Sequence, residues 1–146
     1  MSVDEGSVMR CGGDVAELAG VRAFVRRSAA ALGADGAATE DIVQAVDEWV
    51  TNVALHGYRG AGGPVEVELA RDEAGIVVRI RDHAPVFDPA AAPPFDPSMP
   101  LERRRPGGMG IHLVREITDR FTHRPLPGGG NEVTMHLATD STGGGA

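Results

Sequence analysis

The chain has 146 residues, enough for one domain with a sizeable core and too few for two ordinary domains. Its 21 acidic and 14 basic side chains give a net charge of −7, which argues against broad affinity for nucleic acid or anionic membranes. All the basic residues are arginines, so the sequence excludes mechanisms that require a lysine amine: Walker-type phosphate loops, eukaryotic-type kinases and Schiff-base enzymes.

Cys11 is the single cysteine, so neither a disulfide within the chain nor a thiolate zinc cluster can form, which fits a reducing compartment. The five histidines have none of the spacings typical of zinc ligands, and we expect no zinc site. The sequence contains no apolar run long enough to span a membrane and no charged-then-apolar leader. We therefore expect a cytoplasmic protein.

The first part of the chain predicts at most one strand and then a helix. Residues 1–13 contain little strand-forming sequence, so we expect a lead with at most one edge strand. Asp14 and Glu17 have the spacing of a capping box, in which each side chain accepts from a free backbone amide at a helix start. Apolar residues then recur at helical spacing as far as Gly33, which predicts a first amphipathic helix.

The segment from Thr39 to Gly57 predicts a long helix with an apolar face and an adjoining polar stripe. Thr39 is the expected N-cap and Gly57 the expected stop. Glu48, Asn52 and His56 follow one another at steps of four, so their side chains lie along one line of the helix. A solvated helix surface would account for a glutamate and an asparagine equally well, so this pattern alone leaves a chemical role open.

Two strands joined by a turn are predicted after the central helix. Residues 65–70 alternate valine or leucine with glutamate in the manner of a half-buried strand, and residues 76–81 form a second strand. The turn at 72–75 pairs them as an antiparallel hairpin. Residues 83–106 then have many prolines and alanines without periodicity, and we interpret this long loop as a functional lid.

A run of glycines leads directly into a third predicted helix, whose apolar residues repeat from Ile111 to Phe121. Such a run leaves free backbone NH groups at the helix N-terminus, and together with the helix dipole these bind phosphate. A flexible joint explains the same glycines equally well. Asp82 lies at the end of the second strand. It could accept a hydrogen bond from an amino group such as that of adenine, or it could be a simple turn residue, and this position alone leaves both roles open.

A final strand pair is predicted at 121–124 and 132–138, followed by a disordered tail at 139–146. The order of elements predicts an α+β fold: a two-layer sandwich of a mixed, mainly antiparallel sheet with about three helices on one face. We assign residues 14–138 to one domain, with the lid at about 83–109.

Four segments, in this order, resemble the bacterial anti-sigma-factor serine kinases, which belong to the ATPase superfamily that includes gyrase B, the Hsp90 chaperone and histidine kinases. The segments are AVDEWVTNVALHGY (45–58), VRIRDHAPVFDP (78–89), RRPGGMGIHLVREITDRF (104–121) and GGNEVTMHL (129–137). The likeness covers nearly the whole domain. It implies Mg-ATP as cofactor and identifies the long loop as an ATP lid.

The resemblance also implies a role for each matched residue. Glu48 matches the carboxylate that acts as base on the attacking hydroxyl, and Asn52 matches the Mg²⁺ ligand. Asp82 matches the acceptor of the adenine amino group. Phosphoryl transfer relies on positioning and on neutralising charge, which guanidinium and backbone amides can supply without lysine. The lid positions that match phosphate-contacting residues are Arg105, Gly108 and Gly110.

The sequence departs from the superfamily pattern after Asp82, since Ala84 and Val86 occupy positions where glycines are expected. Side chains at these positions predict a weaker affinity for ATP than is usual. The Phe-Asp-Pro at 87–89, however, matches the protein-kinase branch of the superfamily better than the gyrase branch.

The resemblance implies a protein serine kinase that phosphorylates an anti-sigma-factor antagonist and holds either that antagonist or a sigma factor, so that partner switching is its output. The alternative is a nucleotide-dependent binding module that sequesters a regulator without phosphorylating it. We expect no direct contact with nucleic acid or membrane. Because relatives in this family commonly pair, a homodimer is a further expectation.

Overall fold

A five-stranded sheet forms one layer of the protein in the computed structural model, which describes residues 4–87 and 108–138. The strands are β1 (Asp4–Cys11), β2 (Val65–Arg71), β3 (Gly75–Asp82), β4 (Arg120–Pro125) and β5 (Asn131–Ala138). Their spatial order is β1-β2-β3-β5-β4, and every neighbouring pair is antiparallel. The α+β fold is confirmed. The expected parallel component of a mixed sheet is wrong for the strands that the structure describes. β2–β3 and β4–β5 are hairpins, and the longer connections through the helices also bring β1 beside β2 and β3 beside β5 in opposite directions.

Three helices form the second layer. They are α1 (Leu18–Ala31), α2 (Gly36–Asn52) and α3 (Gly108–Ile117). Both α1 and α3 pack against α2, and buried apolar side chains of helices and strands form one continuous core. Burial of each large apolar side chain contributes about 1.5–3 kcal/mol. Core residues with almost no exposed surface include Val25, Ile42, Val50, Leu69, Ile80 and Met135.

The other face of the sheet carries charged side chains, and the helices of the described residues pack against the apolar face. Arg81 lies at the centre of a network in which its guanidinium pairs with Glu66 at 2.7 Å, Glu68 at 3.0 Å and Glu132 at 2.7 Å. Alternation along each strand directs these residues away from the core, as expected for an antiparallel sheet with one solvated face.

β1 falls within the lead predicted at residues 1–13 and is an edge strand of the sheet. It pairs antiparallel with β2, with Met9 opposite Val67 and Cys11 opposite Val65. Met9 and Cys11 also pack against the core. Residues 4–11 therefore belong to the same sheet as the other described strands.

A short 3-10 turn at Val15–Glu17 leads into α1, and Asp14 is its N-cap, as predicted. The Asp14 carboxylate accepts from the amide of Ala16 at 3.0 Å. The prediction of the reciprocal bond of a capping box is wrong, however. The Glu17 carboxylate accepts instead from the amide of Gly12, at 3.1 and 3.2 Å, because the chain bends there and presents that amide at the end of β1.

α2 begins four residues earlier than predicted, with Asp35 as its N-cap, so the assignment of Thr39 as the N-cap is wrong. The Asp35 carboxylate accepts from the amide of Ala38 at 2.8 Å and caps the helix. Thr39 lies inside the helix and is buried. Aspartate and threonine are both good caps, and the alanines between them favour the earlier start because alanine has the highest helix propensity.

The C-terminal end of α2 continues as a π-helical turn, Val53–Gly57, which ends at the predicted stop. π turns inside helices occur frequently at functional sites. The next residue, Tyr58, ties three segments together: its hydroxyl donates to the carbonyl of Pro64 at 2.6 Å and accepts from the amide of His83 at 2.7 Å. The residues after α2 and after β3 are therefore held side by side.

The first hairpin is confirmed: the Asp72 carboxylate accepts from the amides of Ala74 and Gly75, which closes the turn between β2 and β3. α3 begins at Gly108, three residues before the predicted start, so the glycines form its first turn. Most of the predicted lid, after residue 87, lies outside the described residues. Within residues 4–87 and 108–138, no helix has the length and apolar character needed to cross a membrane.

Candidate functional site

A pocket lies where the end of α2 and its π turn meet the segment that follows β3. Its walls come from these elements and from the first residue of β5. The structure therefore brings together two of the predicted site residues, Asn52 and Asp82, which are far apart in the sequence. The polar residues that line the pocket are Asn52, His56, Arg59, Asp82 and Asn131.

Asp82 ends β3 with one carboxylate oxygen bonded and the other free. Oδ1 accepts from the amide of Ala84 and from Nδ2 of Asn131, both at 2.9 Å. Oδ2 is buried without a hydrogen-bond partner, and the residue as a whole is 1% exposed. Burial raises the pKa of this carboxyl above its ordinary value, although the bonds from Asn131 and Ala84 oppose the shift. The free oxygen is an acceptor that fits the amino group of an adenine.

Asn52 is the last residue of α2 and presents a second unpartnered acceptor. Its Oδ1 is buried and has no hydrogen-bond partner. An amide oxygen is a hard ligand of the kind that Mg²⁺ accepts, usually beside substrate phosphates. The donor type at this position therefore fits the metal that the resemblance implies.

Trp49 supplies a third unpartnered group, which the sequence pattern assigned to the apolar face only. The residue lines the pocket and is 2% exposed, and its indole Nε1–H has no acceptor. Its ring lies 5.5 Å from that of Phe121, edge to face, and 6.5 Å from that of Phe87. The sequence contains no other tryptophan.

The three unpartnered atoms all belong to residues that line this pocket. Within the described parts of the chain, every buried side-chain nitrogen or oxygen without a hydrogen-bond partner belongs to a residue that lines this pocket. Leaving a buried polar group unpaired costs about 1–3 kcal/mol, and such groups are rare in folded proteins. Their concentration at one pocket indicates a site whose missing partners belong to a ligand.

Glu48 lies one helical turn before Asn52 and lines a neighbouring groove between α1 and α2. Burial, with a smaller contribution from the charge of Asp47, raises the pKa of the Glu48 carboxyl. Asp47 itself accepts from Nε of Arg22 at 2.7 Å. A raised pKa brings a carboxylate closer to the range in which it works well as a general base. The role of Glu48 as base remains a prediction.

The predicted phosphate-binding residues belong to the lid and to α3. Gly108 and Gly110 lie in the first turn of α3, where backbone NH groups have no partner within the helix. Arg105 lies outside the described residues. Contact between these three residues and phosphate therefore remains a prediction.

The two side chains that replace expected glycines occupy different environments. Ala84 is buried, and a Cβ on Gly57 would lie 3.0 Å from the Cβ of Ala84. The glycine at the end of the π turn thus makes room for this alanine. Val86 is exposed and lines the pocket. Its effect on ATP affinity remains a prediction.

Asn131 is a pocket residue that the sequence did not predict. The segment GGNEVTMHL was matched to the family as a whole, but an asparagine that follows three glycines is typical of a turn. The sheet places Asn131 directly opposite Asp82 on the neighbouring strand. No local pattern carries this information, because it depends on the pairing of β3 with β5.

Comparison with known proteins identifies the domain. The family model described as "Histidine kinase-like ATPase domain" matches residues 12–137. The serine-protein kinase RsbW of Listeria monocytogenes is 32% identical over 87 residues, which cover 56% of this chain and 55% of that protein. RsbW of Oceanobacillus iheyensis is 31% identical over 85 residues, covering 55% and 54%. This chain therefore spans about half the length of the RsbW proteins that it matches.

Two further proteins extend the comparison. The anti-sigma F factor of Clostridium acetobutylicum is 26% identical over 99 residues, covering 66% of this chain and 67% of that protein. The crystal structure of the RsbU and RsbW domains of a Mycobacterium tuberculosis protein superposes with a TM-score of 0.61 and 20% sequence identity, over 91% of this chain and 33% of that one. This structural likeness shows a shared fold.

The matched span runs from the end of β1 almost to the end of β5 and includes every residue that lines the pocket. The predicted resemblance is therefore confirmed, and membership of this family implies that the domain binds ATP. The fold, the unpartnered groups of the pocket and the family model lead to the same conclusion: the chain belongs to the family of histidine kinase-like ATPase domains.

Proposed function

We propose that the protein is a serine kinase that binds Mg-ATP in this pocket and transfers the γ-phosphoryl group to an anti-sigma-factor antagonist. In this proposal the protein also holds a sigma factor, so that phosphorylation switches its partner in the cytoplasm. The names of the matched relatives, serine-protein kinase and anti-sigma F factor, support this proposal. The observation that carries it is the concentration of unpartnered buried groups at one pocket.

In this proposal, different residues of the pocket bind different parts of the nucleotide. Oδ2 of Asp82 accepts from the adenine amino group, and Oδ1 of Asn52 holds the metal. When bound, Mg²⁺ supplies positive charge that neutralises the phosphates. The lid residues Arg105, Gly108 and Gly110 complete the proposed phosphate contacts with a guanidinium and backbone amides. This set supplies the positive charge and the donors that phosphoryl transfer needs in a chain without lysine.

Glu48 acts in this proposal on the protein substrate. Its carboxylate accepts the proton of the serine hydroxyl as that oxygen attacks the terminal phosphorus, and the bond from this phosphorus to ADP breaks. Its position in a groove outside the nucleotide pocket leaves it accessible from the side of α1 and α2. Its raised pKa makes it a stronger base than an exposed glutamate.

The proposal is tested with labelled nucleotide. The purified protein is incubated with Mg-ATP that carries a labelled γ-phosphate, together with candidate antagonist proteins. Label on a serine of such a protein is the expected result. Calorimetry with Mg-ATP is run in parallel, and failure of the folded protein to bind either ATP or ADP would overturn the assignment.

One observation favours a second function, a binding module that uses nucleotide to set its shape and does not phosphorylate its partner. Glu48 does not line the nucleotide pocket in the structure, whereas Asn52 and Asp82 do. The same two measurements separate the functions. Tight binding of Mg-ATP without transfer of label to any cognate antagonist would show that the protein acts as a binding module. Sedimentation of the same samples tests the homodimer that the resemblance implies.

A further inference from the structure

We propose that Asn131 is a positioning residue that fixes the Asp82 carboxylate in the orientation that selects adenine, and so sets the preference of the pocket for a 6-amino purine. This inference rests on the proposed binding of ATP. It concerns the contacts of one buried side chain, which is 4% exposed and lies at the start of β5.

The orientation of the Asn131 amide follows from its neighbours. The amide of Phe87 is 2.8 Å from Oδ1 of Asn131, and because a backbone N–H can only donate, the atom that meets it must be the oxygen. Nε2 of His123 lies 2.8 Å from the same oxygen and donates to it as well. Nδ2 of Asn131 therefore faces the Asp82 carboxylate, where a donor is required.

The donor end of the amide determines which oxygen of Asp82 remains free. Nδ2 donates to Oδ1 of Asp82 at 2.9 Å and to the carbonyl of Pro85 at 3.1 Å. Oδ1 receives a second bond from the amide of Ala84, so both donors near the carboxylate occupy one oxygen and leave Oδ2 unpartnered. The torsion that turns a carboxylate group is broad, so without Nδ2 the Ala84 amide alone holds this orientation.

Both ends of the amide hold the segment that begins the lid: Oδ1 accepts from Phe87 and Nδ2 donates to Pro85. Through Phe87 and Pro85, Asn131 binds both sides of Val86, which lines the pocket. A single side chain thus links the adenine acceptor on β3, the strand β5 and the first residues after β3. An aliphatic side chain of similar size could fill the space and would make none of these bonds.

The chemical consequence is a selectivity between purines. Adenine offers a 6-amino donor to the free Oδ2 of Asp82, whereas hypoxanthine places a 6-oxo acceptor there, and two acceptors repel. Loss of orientation at Asp82 should therefore weaken ATP binding and leave inosine triphosphate binding almost unchanged. A purely structural role for Asn131 would weaken binding of both nucleotides equally. The ratio of the two dissociation constants is therefore the decisive quantity.

The experiment measures binding of Mg-ATP and Mg-ITP by calorimetry to the full chain, for the wild type and for Asn131→Ala and Asn131→Ser. Asp82→Asn serves as the reference for lost selectivity. Thr134→Ala is the matched control, because Thr134 lies on the same strand and faces the opposite side of the sheet. We expect Asn131→Ala to bind ATP about 10-fold more weakly, the size of one hydrogen bond to a charged group, and ITP within about twofold of wild type.

The outcomes separate this inference from the function on which it rests. A folded Asn131→Ala or Asn131→Ser protein that keeps the wild-type ratio of ITP to ATP dissociation constants overturns the inference and leaves ATP binding intact. If Asn131→Ala does not unfold cooperatively, the smaller change Asn131→Ser decides, because its hydroxyl cannot reach both Asp82 and Pro85. A wild-type protein that binds neither nucleotide overturns the proposed function together with the inference.

Discussion

The rings of Trp49 and Phe87 lie 6.5 Å apart at the pocket, and they join the end of α2 to the segment that follows β3. Both residues line the pocket, and Trp49 is the only tryptophan in the sequence. The tryptophan fluorescence of the protein therefore reports on this site alone.

Binding of Mg-ATP should change the emission of Trp49, because the nucleotide alters the polarity around an indole whose N–H lacks a partner. The measurement is a fluorescence titration, with free N-acetyltryptophanamide as the control for absorption by ATP. A dissociation constant that agrees with calorimetry is the expected result. An unchanged spectrum at a saturating ATP concentration would show that the nucleotide binds elsewhere.

Asn52→Ala should weaken metal-dependent binding of ATP. The variant removes the buried Oδ1 that is proposed to hold Mg²⁺, and we expect about 10-fold weaker binding, the size of one contact to a charged partner. Calorimetry with magnesium and with a chelator separates the metal contribution. Thr51→Ala is the matched control, since Thr51 is the preceding residue on α2 and does not line the pocket. Equal loss of affinity with and without magnesium would contradict the assigned role.

Glu48→Ala should abolish phosphoryl transfer and preserve nucleotide binding. Loss of a positioned base lowers the rate by about 10²- to 10⁴-fold, whereas the affinity should hold because Glu48 lies outside the nucleotide pocket. Transfer of labelled phosphate to the antagonist and calorimetry are measured on the same sample. Gln44→Ala, one turn earlier on α2 in the same groove, is the control. Transfer at the wild-type rate in Glu48→Ala would rule out the base.

Asp82→Asn should alter how stability depends on pH in the absence of nucleotide. Burial raises the native pKa of this carboxyl, so its contribution to stability is complete below the unfolded pKa of about 3.9 and is lost as the pH rises through the raised native value. The variant lacks this loss, and its stability relative to wild type should increase across that window by up to about 1.4 kcal/mol per pH unit. Urea unfolding at a series of pH values measures the difference. A difference that does not vary with pH would contradict the raised pKa.

Gly57→Ala should show coupling to Ala84, because the added Cβ would lie 3.0 Å from the Cβ of Ala84. We expect the substitution to be less favourable in the wild type than in an Ala84→Gly background, with a coupling free energy of about 0.5 kcal/mol or more. Urea unfolding of the two single variants and the double variant gives this quantity. Additive effects would show that the π turn adjusts to the extra methyl group without contact.

The helices and strands of this protein could be predicted from the sequence because the residues that form, cap and end each one are neighbours in the chain. Apolar periodicity marks the helices and strands, Asp72 closes its own hairpin, and Asp14 caps the turn before α1. The start of α2 was predicted wrongly, because Asp35 caps the helix in place of the predicted Thr39. The resemblance then identified Asn52 and Asp82 by chemical type.

Only the tertiary structure decided which atoms of the site are available to a ligand. Whether Oδ2 of Asp82 is free depends on Asn131, whose Nδ2 donates to the other oxygen, Oδ1, because β5 pairs with β3. Whether the indole N–H of Trp49 lacks an acceptor depends on how α2 packs against the sheet and on the rings of Phe87 and Phe121. Residue type and spacing specify a donor or an acceptor, but burial and the absence of a partner are properties of packing between segments that are distant in the chain.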